Sequence, residues 1–430
     1  MAKALSPTRG DRLLRVFKRI AVNMRDAGLS RQLIGDDHFS GDSIVLDGKR
    51  VLNFGLCSYL ALGNDPRVKE AAKDAIEAYG ASYSSSIAYT AVPLYGDLAE
   101  RMRQIFGAEV ILTGTTTLGH LTALPVLVMP GDRVLVDAQT HSSVMTATQT
   151  VQATGVQVKP MPHNDMAALE AEIASDRASR RVWYMTDGVF SMRGDSSPAE
   201  DMAALLDRYE NLHLYVDDAH GFGWAGLHGR GQYLNRVGWH ERVVVIVGLA
   251  KAFGSLGGVI ATGNFEFAEE IELCGPALTF GGPIPPPNLG ASIAAGDIFL
   301  SDELVERQDA LMERIRLVNK MSAELGLEFA SIDETPLWFH DVGEVREMMQ
   351  LTAAMRDSGF FLNGAGFPVV PHGHAGVRFT VTLDLTLQQI EDMLVCLTEK
   401  RLELFGETEV VVELDEIEKQ SEQLESRRSD

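Results

Sequence analysis

Leu212-His213-Leu214-Tyr215-Val216-Asp217-Asp218-Ala219-His220-Gly221 is a short apolar run that stops abruptly on two acids and a histidine. Such a run reads as a buried strand whose carboxyl end turns polar. The same layout recurs on either side of it. Val243–Val247 ends in Gly248-Leu249-Ala250-Lys251-Ala252-Phe253-Gly254, and Val182–Met185 ends in Thr186-Asp187-Gly188-Val189-Phe190-Ser191. Val134–Val136 ends in Asp137-Ala138-Gln139-Thr140-His141, and Val110–Leu112 in Thr113-Gly114-Thr115-Thr116-Thr117. Helical patterns at Ala167–Ser175 and Ala199–Tyr209 fall between strands. This alternation predicts an α/β fold with a mainly parallel central sheet and helices on both faces. Ligands of such sheets bind beyond the carboxyl ends of the strands. An acid, two histidines, a lysine and a threonine-rich turn therefore converge on one edge.

Outward from that centre, residues 8–28 read as an amphipathic helix, and Ser43–Phe54 as a hairpin turning at Asp47-Gly48. A helix with Pro66 in its first turn is expected to run to about Tyr79, followed by a serine-rich loop over Ser82–Ser86. Pro283–Pro287 reads as a hinge into helices at Leu289–Leu300 and Asp302–Leu325. A smaller α+β unit with a strand at Gly376–Leu383 and a helix at Leu387–Leu404 then closes the fold. The expected division is an N-terminal helix and hairpin segment over 1–60, a large domain over 61–288, a small C-terminal domain over 289–405 and an acidic tail over 406–430. That tail carries nine acids against three bases and reads as a solvated segment.

The 430-residue chain carries 38 Lys+Arg against 60 Asp+Glu, a formal charge of -22 that argues against a nucleic-acid-binding surface. The longest apolar stretches, Leu121–Met129 and Val243–Ala250, are too short to span a bilayer, so no membrane span is expected. Basic residues at Arg9, Arg12, Arg15, Lys18 and Arg19 break any signal-like apolar run, and the three cysteines show no paired metal spacing. A reduced, cytoplasmic protein is the expectation.

Each polar group at the strand ends has an unremarkable reading on its own: a surface lysine, a loop-capping acid, a helix N-cap at Thr115–Thr117. A serine-hydrolase reading lacks the Gly-x-Ser-x-Gly elbow, and His372-Gly373-His374 lacks a nearby third ligand, so no metal site is assigned. Jointly, the groups fit a pyridoxal 5'-phosphate (PLP) site. A lysine amine can hold the cofactor aldehyde as a Schiff base, a carboxylate can keep the pyridine nitrogen protonated, and a helix N-terminus can seat the phosphate. A second histidine can stack on the ring.

Residues from about 50 to 400 resemble the α-oxoamine synthases, fold-type I PLP enzymes that condense an amino acid with an acyl thioester. The matching text includes Asn53-Phe54 to Tyr59-Leu60, His163-Asn164-Asp165, and Gly188-Val189-Phe190-Ser191-Met192-x-Gly194-Asp195. It continues through Asp217-x-Ala219-His220-Gly221, His228-Gly229-Arg230-Gly231, Lys251-Ala252-Phe253-Gly254 with Gly257-Gly258, and Val377-Arg378-Phe379-Thr380-Val381. The resemblance implies that Lys251 is the Schiff-base lysine and proton-transfer base, that Asp217 pairs with the pyridine nitrogen, and that His220 hydrogen-bonds the ring hydroxyl. It places His141 over the ring, Ser191 and Asp187 near it, Thr115 and Thr116 on the phosphate, and Arg378 on the amino-acid carboxylate. It also implies a homodimer with shared active sites, an amino acid and an acyl thioester (coenzyme A or carrier protein) as substrates, and an aminoketone product, usually with loss of carbon dioxide.

Several positions depart from the family text. Its opening asparagine is Cys57, its glutamate before Gly-Val-Phe is Asp187, and its phosphate-binding threonine three residues before the lysine is Gly248. A partner-facing Ser/Thr pair reads Gly281-Gly282, and the Gly-x-Gly-Gly-Ser segment has become Ser82–Ser86. The chain thus resembles a divergent member. An aminotransferase or lyase on the same cofactor is the alternative enzyme reading, and a non-catalytic partner subunit a third that the intact Lys251 opposes.

Overall fold

The computed structural model describes residues 9–176 and 178–406. The acidic tail expected after Gly406 lies outside the described residues. Helix α1 (Arg9–Asp26) leads to the hairpin of β1 (Ser43–Leu46) and β2 (Lys49–Asn53). Its turn residues Asp47 and Gly48 both have positive φ (50° and 78°), the geometry an Asp-Gly hairpin provides. Helix α2 (Pro66–Tyr79) begins where Asp65 accepts a hydrogen bond from the Arg67 N–H, and α3 (Leu94–Phe106) follows.

The large sheet is built from β3 (Glu109–Thr113), α4 (Thr116–Leu127), β4 (Arg133–Asp137), α5 (Ser142–Gln152), β5 (Gln157–Met161) and α6 (Met166–Ser175). It continues with β6 (Val182–Asp187), α7 (Ala199–Arg208), β7 (Leu212–Asp217), α8 (Gln232–Val237), β8 (Val243–Gly248), β9 (Gly258–Thr262), α9 (Phe265–Cys274) and α10 (Pro276–Phe280). The strand order is β3-β9-β8-β7-β6-β4-β5, with β9 antiparallel to both neighbours and the remaining pairs parallel. Every residue of β6, β7 and β8 is buried. Alternate side chains enter two cores: Leu214, Val216, Val245 and Val247 on one face, Tyr215, Val244, Ile246 and Trp183 on the other. A sheet covered on both faces is the physical reason these strands read as unbroken apolar runs.

Two strands of this large sheet escaped the sequence pattern. β5 is an edge strand, polar and interrupted by Pro160, which an edge tolerates because it needs fewer ladder donors. The antiparallel β9 closes the site loop after Lys251. Helix α4 was anticipated only at its N-cap, because its body is apolar around most of its circumference and carries Pro125, as a buried helix can.

The C-terminal part holds α11 (Pro286–Phe299), α12 (Glu303–Leu325), β10 (Leu337–Gly343), α13 (Val345–Asp357), β11 (Phe360–Phe361), β12 (Asn363–Ala365), β13 (Ala375–Thr380) and α14 (Leu387–Phe405). β10, β13 and β12 form an antiparallel sheet, while β11 pairs with β2, so the N-terminal hairpin is joined to this unit. Two of the prolines expected at a hinge instead start a helix, since Pro286 occupies the first turn of α11. The strand carrying Arg378 ends at Thr380, earlier than the alternation suggested. No helix among the described residues is long and apolar enough to cross a membrane.

Candidate active site

The carboxyl ends of β3, β4, β6, β7 and β8 surround a cavity of about 190 Å³ lined by Thr115, Thr116, His141, Asp187, Asp217, His220 and Lys251 among others. All but two of the expected site residues are thus brought together. Ser191 and Arg378 line an adjoining cavity that also includes His141, His220 and Lys251.

Asp217 ends β7, and its Oδ2 lies 3.0 Å from His120 Nε2 on α4. His120 Nδ1 is in turn 2.9 Å from the Tyr215 hydroxyl. Burial pushes the Tyr215 phenol well above its ordinary range, so it remains a donor; it donates to Nδ1, leaving Nε2–H to donate to Asp217. Burial alone would raise the Asp217 carboxyl, but the hydrogen bond from His120 and the nearby Lys251 charge hold it below the ordinary carboxylate range. Asp187 stands opposite Asp217 in the β6–β7 register. Burial, reinforced by the Asp217 charge, pushes Asp187 well above the usual range. Two adjacent buried carboxyls cannot both ionise cheaply, so Asp217 holds the charge and Asp187 the proton.

Both cleft histidines are neutral. His141 Nδ1 accepts from the Ser143 N–H and lies 2.6 Å from the Ser143 hydroxyl, leaving Nε2–H free; burial lowers its pKa. His220 Nδ1 lies 2.7 Å from the Tyr59 hydroxyl, and burial drives its pKa well below the ordinary value. Burial lowers the Lys251 amine as well, against the pull of Asp217. No ion pair to Lys251 occurs among the described residues.

Arg378 is buried, 8% exposed, yet it has no carboxylate partner among the described residues. Its Nε donates to the Ser191 carbonyl at 2.6 Å, and one terminal nitrogen lies 3.6 Å from Cys57 Sγ. Strand alternation puts the Thr380 and Thr382 hydroxyls on the same face as Arg378, yet neither is open to the cleft. Thr380 donates to the Leu56 carbonyl, and Thr382 is buried beyond the strand end.

Thr115 caps α4 through its Oγ1, which accepts from the Leu118 N–H. The N–H groups of Thr116 and Thr117 belong to the first turn, where a helix supplies no acceptor of its own. A Cβ built on Gly248 would lie 2.8 Å from Thr116 Oγ1. The space vacated by the missing side chain at 248 is occupied by a hydroxyl from the neighbouring helix. An anion seat of helix N–H groups and threonine hydroxyls, an unpaired amine and a fixed carboxylate therefore surround one cavity, and this donor set fits PLP.

His120 and Tyr59 were missed by sequence reasoning. Tyr59 lay within a quoted motif whose spacing could have flagged it; nothing in the sequence pattern marked His120. The motif residues His163 and Asp195 serve a structural purpose: His163 bridges Asp137 at 2.9 Å and Asp195 at 2.6 Å, locking the β4 and β6 loops together.

Residues 49–395 match the family described as aminotransferase class I and II. The 8-amino-7-oxononanoate synthase of Symbiobacterium thermophilum is 34% identical over 376 residues, covering 86% of this chain and 93% of that protein. The serine palmitoyltransferase of Sphingobacterium spiritivorum is 28% identical over 370 residues, covering 85% and 90%. Among solved structures, the serine palmitoyltransferase of S. paucimobilis with a bound PLP–myriocin aldimine shares the fold with a TM-score of 0.82 at 20% identity, covering 90% of this chain and 98% of that one. The chain belongs to the aminotransferase class I and II family and, within it, to the α-oxoamine synthases.

Proposed function

We propose that this protein is a PLP-dependent acyltransferase that condenses an amino acid with an acyl thioester to an α-aminoketone, releasing the thiol and usually carbon dioxide, as a cytoplasmic homodimer. The observation that carries this reading is a pair of basic side chains, Lys251 and Arg378, lining one cleft without an acid partner for Arg378 among the described residues. A buried guanidinium without a counter-ion is costly unless a ligand supplies one. An α-carboxylate has the charge and the two-oxygen geometry to do so.

PLP, when bound, supplies an electron sink that stabilises negative charge at the amino acid's α-carbon. Lys251 would hold its aldehyde, Asp217 its ring nitrogen, and Thr115, Thr116 and the α4 N-terminus its phosphate. Burial lowers the Lys251 amine, which favours its service as the base for the proton at the α-carbon. His120 keeps Asp217 oriented and ionised while the proton moves. His220 and His141, both neutral with Nε2–H groups, serve as donors toward the ring hydroxyl and the cleft. Asp187, protonated, orients the His141 backbone, whose N–H lies 3.0 Å from its Oδ1. Carbon–carbon bond formation at the thioester carbonyl then breaks the carbon–sulfur bond, and the thiol leaves with a proton.

Incubation of the holoenzyme with pooled amino acids and acyl thioesters, followed by thiol titration and product mass spectrometry, tests the reading. Thiol release with a new aminoketone is expected. Amino-group exchange with a 2-oxo acid, without thiol release, would establish an aminotransferase instead.

A further inference from the structure

Beyond the cofactor cavity the cleft widens into a space far larger and more apolar than an amino acid needs. One cavity of about 600 Å³ lies between α1 and the segment Ala365–Val369, with Cys57, Lys251 and Arg378 at its floor. Its α1 wall presents Phe17, Ile20, Ala21 and Met24, and Phe17 meets Phe367 with ring centroids 5.4 Å apart, holding the helix against the segment. A second cavity of about 590 Å³ lies beneath the β1–β2 hairpin, walled by Leu29, Ile44, Leu46, Leu56 and Phe361. The two cavities share Met24, Asn363 and Gly364 as walls, so they adjoin at the end of α1. Each is of a size that holds a drug-sized ligand.

The condensation reading places the thioester carbonyl beside Lys251 and the amino-acid carboxylate on Arg378. Whatever extends from that carbonyl enters the α1 cavity. A two-carbon acyl group would leave these walls facing water. An alkyl chain would instead cover them, and each buried methylene strengthens binding about fourfold. We propose that the acyl donor is a long-chain fatty acyl thioester, whose tail lies beneath α1 and continues past Met24 under the hairpin. The proposal rests on the condensation reading, and it assigns α1 as the wall of a substrate site rather than as a surface appendage. Met24 lines both cavities where they adjoin, so under this proposal its size sets how long a tail can extend.

The test uses S-acyl pantetheines, the thioester arm common to coenzyme A and carrier proteins, from two to sixteen carbons with the full-length holoenzyme and pooled amino acids. Under the proposal kcat/KM rises about two- to fourfold per added methylene and favours chains of twelve carbons or more. Met24→Trp, which adds bulk where the two cavities adjoin, should cut kcat/KM for the sixteen-carbon donor at least tenfold relative to the eight-carbon donor. Met24→Ala should not. A separate binding measurement uses S-hexadecyl pantetheine, a thioether that cannot react, titrated calorimetrically into the wild type and Met24→Trp. Weakened binding in Met24→Trp supports the tail site even if no donor releases thiol, an outcome in which the condensation reading alone fails. Thiol release with no dependence on chain length, or equal effects of Met24→Trp on all chain lengths, would overturn the tail site and leave condensation standing. No thiol release together with unchanged thioether binding in Met24→Trp overturns the proposal as well.

Discussion

Removing Arg378 separates a ligand-binding guanidinium from a structural one. In the free protein its Nε holds the Ser191 carbonyl and a terminal nitrogen reaches Cys57 Sγ, but no carboxylate among the described residues neutralises it. Arg378→Ala therefore breaks no ion pair. It orphans the Ser191 carbonyl, a cost of about 1–3 kcal/mol, while relieving the desolvation of a buried charge. The two effects oppose each other, so the variant should fold with a modest change in Tm. Ligand binding should change far more. Charge-assisted hydrogen bonds contribute about 1.5–3 kcal/mol each, so losing even one weakens amino-acid affinity about 10- to 100-fold. The assay is a spectral titration of the holoenzyme with glycine, L-alanine and L-serine, repeated with the corresponding amides, which lack the carboxylate charge. Wild type should prefer the acids over the amides, and Arg378→Ala should lose that preference. The resulting cycle isolates the coupling between guanidinium and carboxylate from any general damage. Arg378→Lys should restore only part of it, because a point-charge ammonium cannot engage both oxygens in a fork. A folded Arg378→Ala protein that still distinguishes acid from amide as well as the wild type would refute the assignment.

Three further outcomes are expected. His120→Asn should raise the Asp217 carboxyl, slow turnover about 10-fold or more, and shift the pH dependence of the bound cofactor's absorbance, whereas Tyr215→Phe should do so more weakly; loss of Tm with an unmoved pH profile would reduce His120 to a packing residue. Gly248→Thr should weaken PLP binding because its Cβ would sit 2.8 Å from Thr116 Oγ1, and Gly248→Thr combined with Thr116→Ala should recover it; a single variant that titrates PLP like the wild type would show the hydroxyl exchange to be irrelevant. Burial alone would lower the His163 imidazole, but its hydrogen bonds to Asp137 and Asp195 push it up to about 9. A raised histidine stabilises fully below its unfolded pKa of about 6.5 and loses that contribution as pH rises through 9, about 3 kcal/mol over the window. Urea unfolding at pH 6, 7.5 and 9.5 should show this loss in wild type and a flatter profile in His163→Asn; parallel curves would place the stabilisation elsewhere.

The sheet centre was legible because burial on both faces forces a continuous apolar strand, as in β7 and β8, and because polar chemistry must then wait for the strand end. Asp217, Lys251 and His141 could be grouped on that basis alone. Edges and buried helices were less legible. β5 carries Pro160 and polar residues because one side of it needs no partner, and α4 shows no amphipathic period because it meets protein nearly all round. That is also why His120 went unseen: it lies 97 residues from Asp217 and inside an apolar helix, where a lone histidine resembles a core residue. The departure at Gly248 was visible, but its counterpart at Thr116 was not, since only the packing of α4 against β8 brings the two together. Alternation along β13 correctly separated Arg378 from Phe379, yet it could not show that Thr380 spends its hydroxyl on backbone carbonyls of the 54–56 segment.

The charge distribution in the cleft follows from the same placements. β6 and β7 end in register, so Asp187 and Asp217 compete for one negative charge, and the hydrogen bond from His120 awards it to Asp217. The proton retained by Asp187 matters for the substrate, because a second carboxylate there would repel the α-carboxylate approaching Arg378. Burial keeps His141 and His220 neutral, so neither adds a positive charge that would compete with Arg378 for the incoming anion. The phosphate seat relies on backbone N–H groups and hydroxyls of α4, which bind an anion without placing another cation beside Lys251. Arg378 holds a fixed positive charge that burial does not remove, since a guanidinium stays protonated. One cleft can therefore hold a carboxylate on Arg378 at one end while Lys251, at the other, carries an amine that burial makes easier to deprotonate.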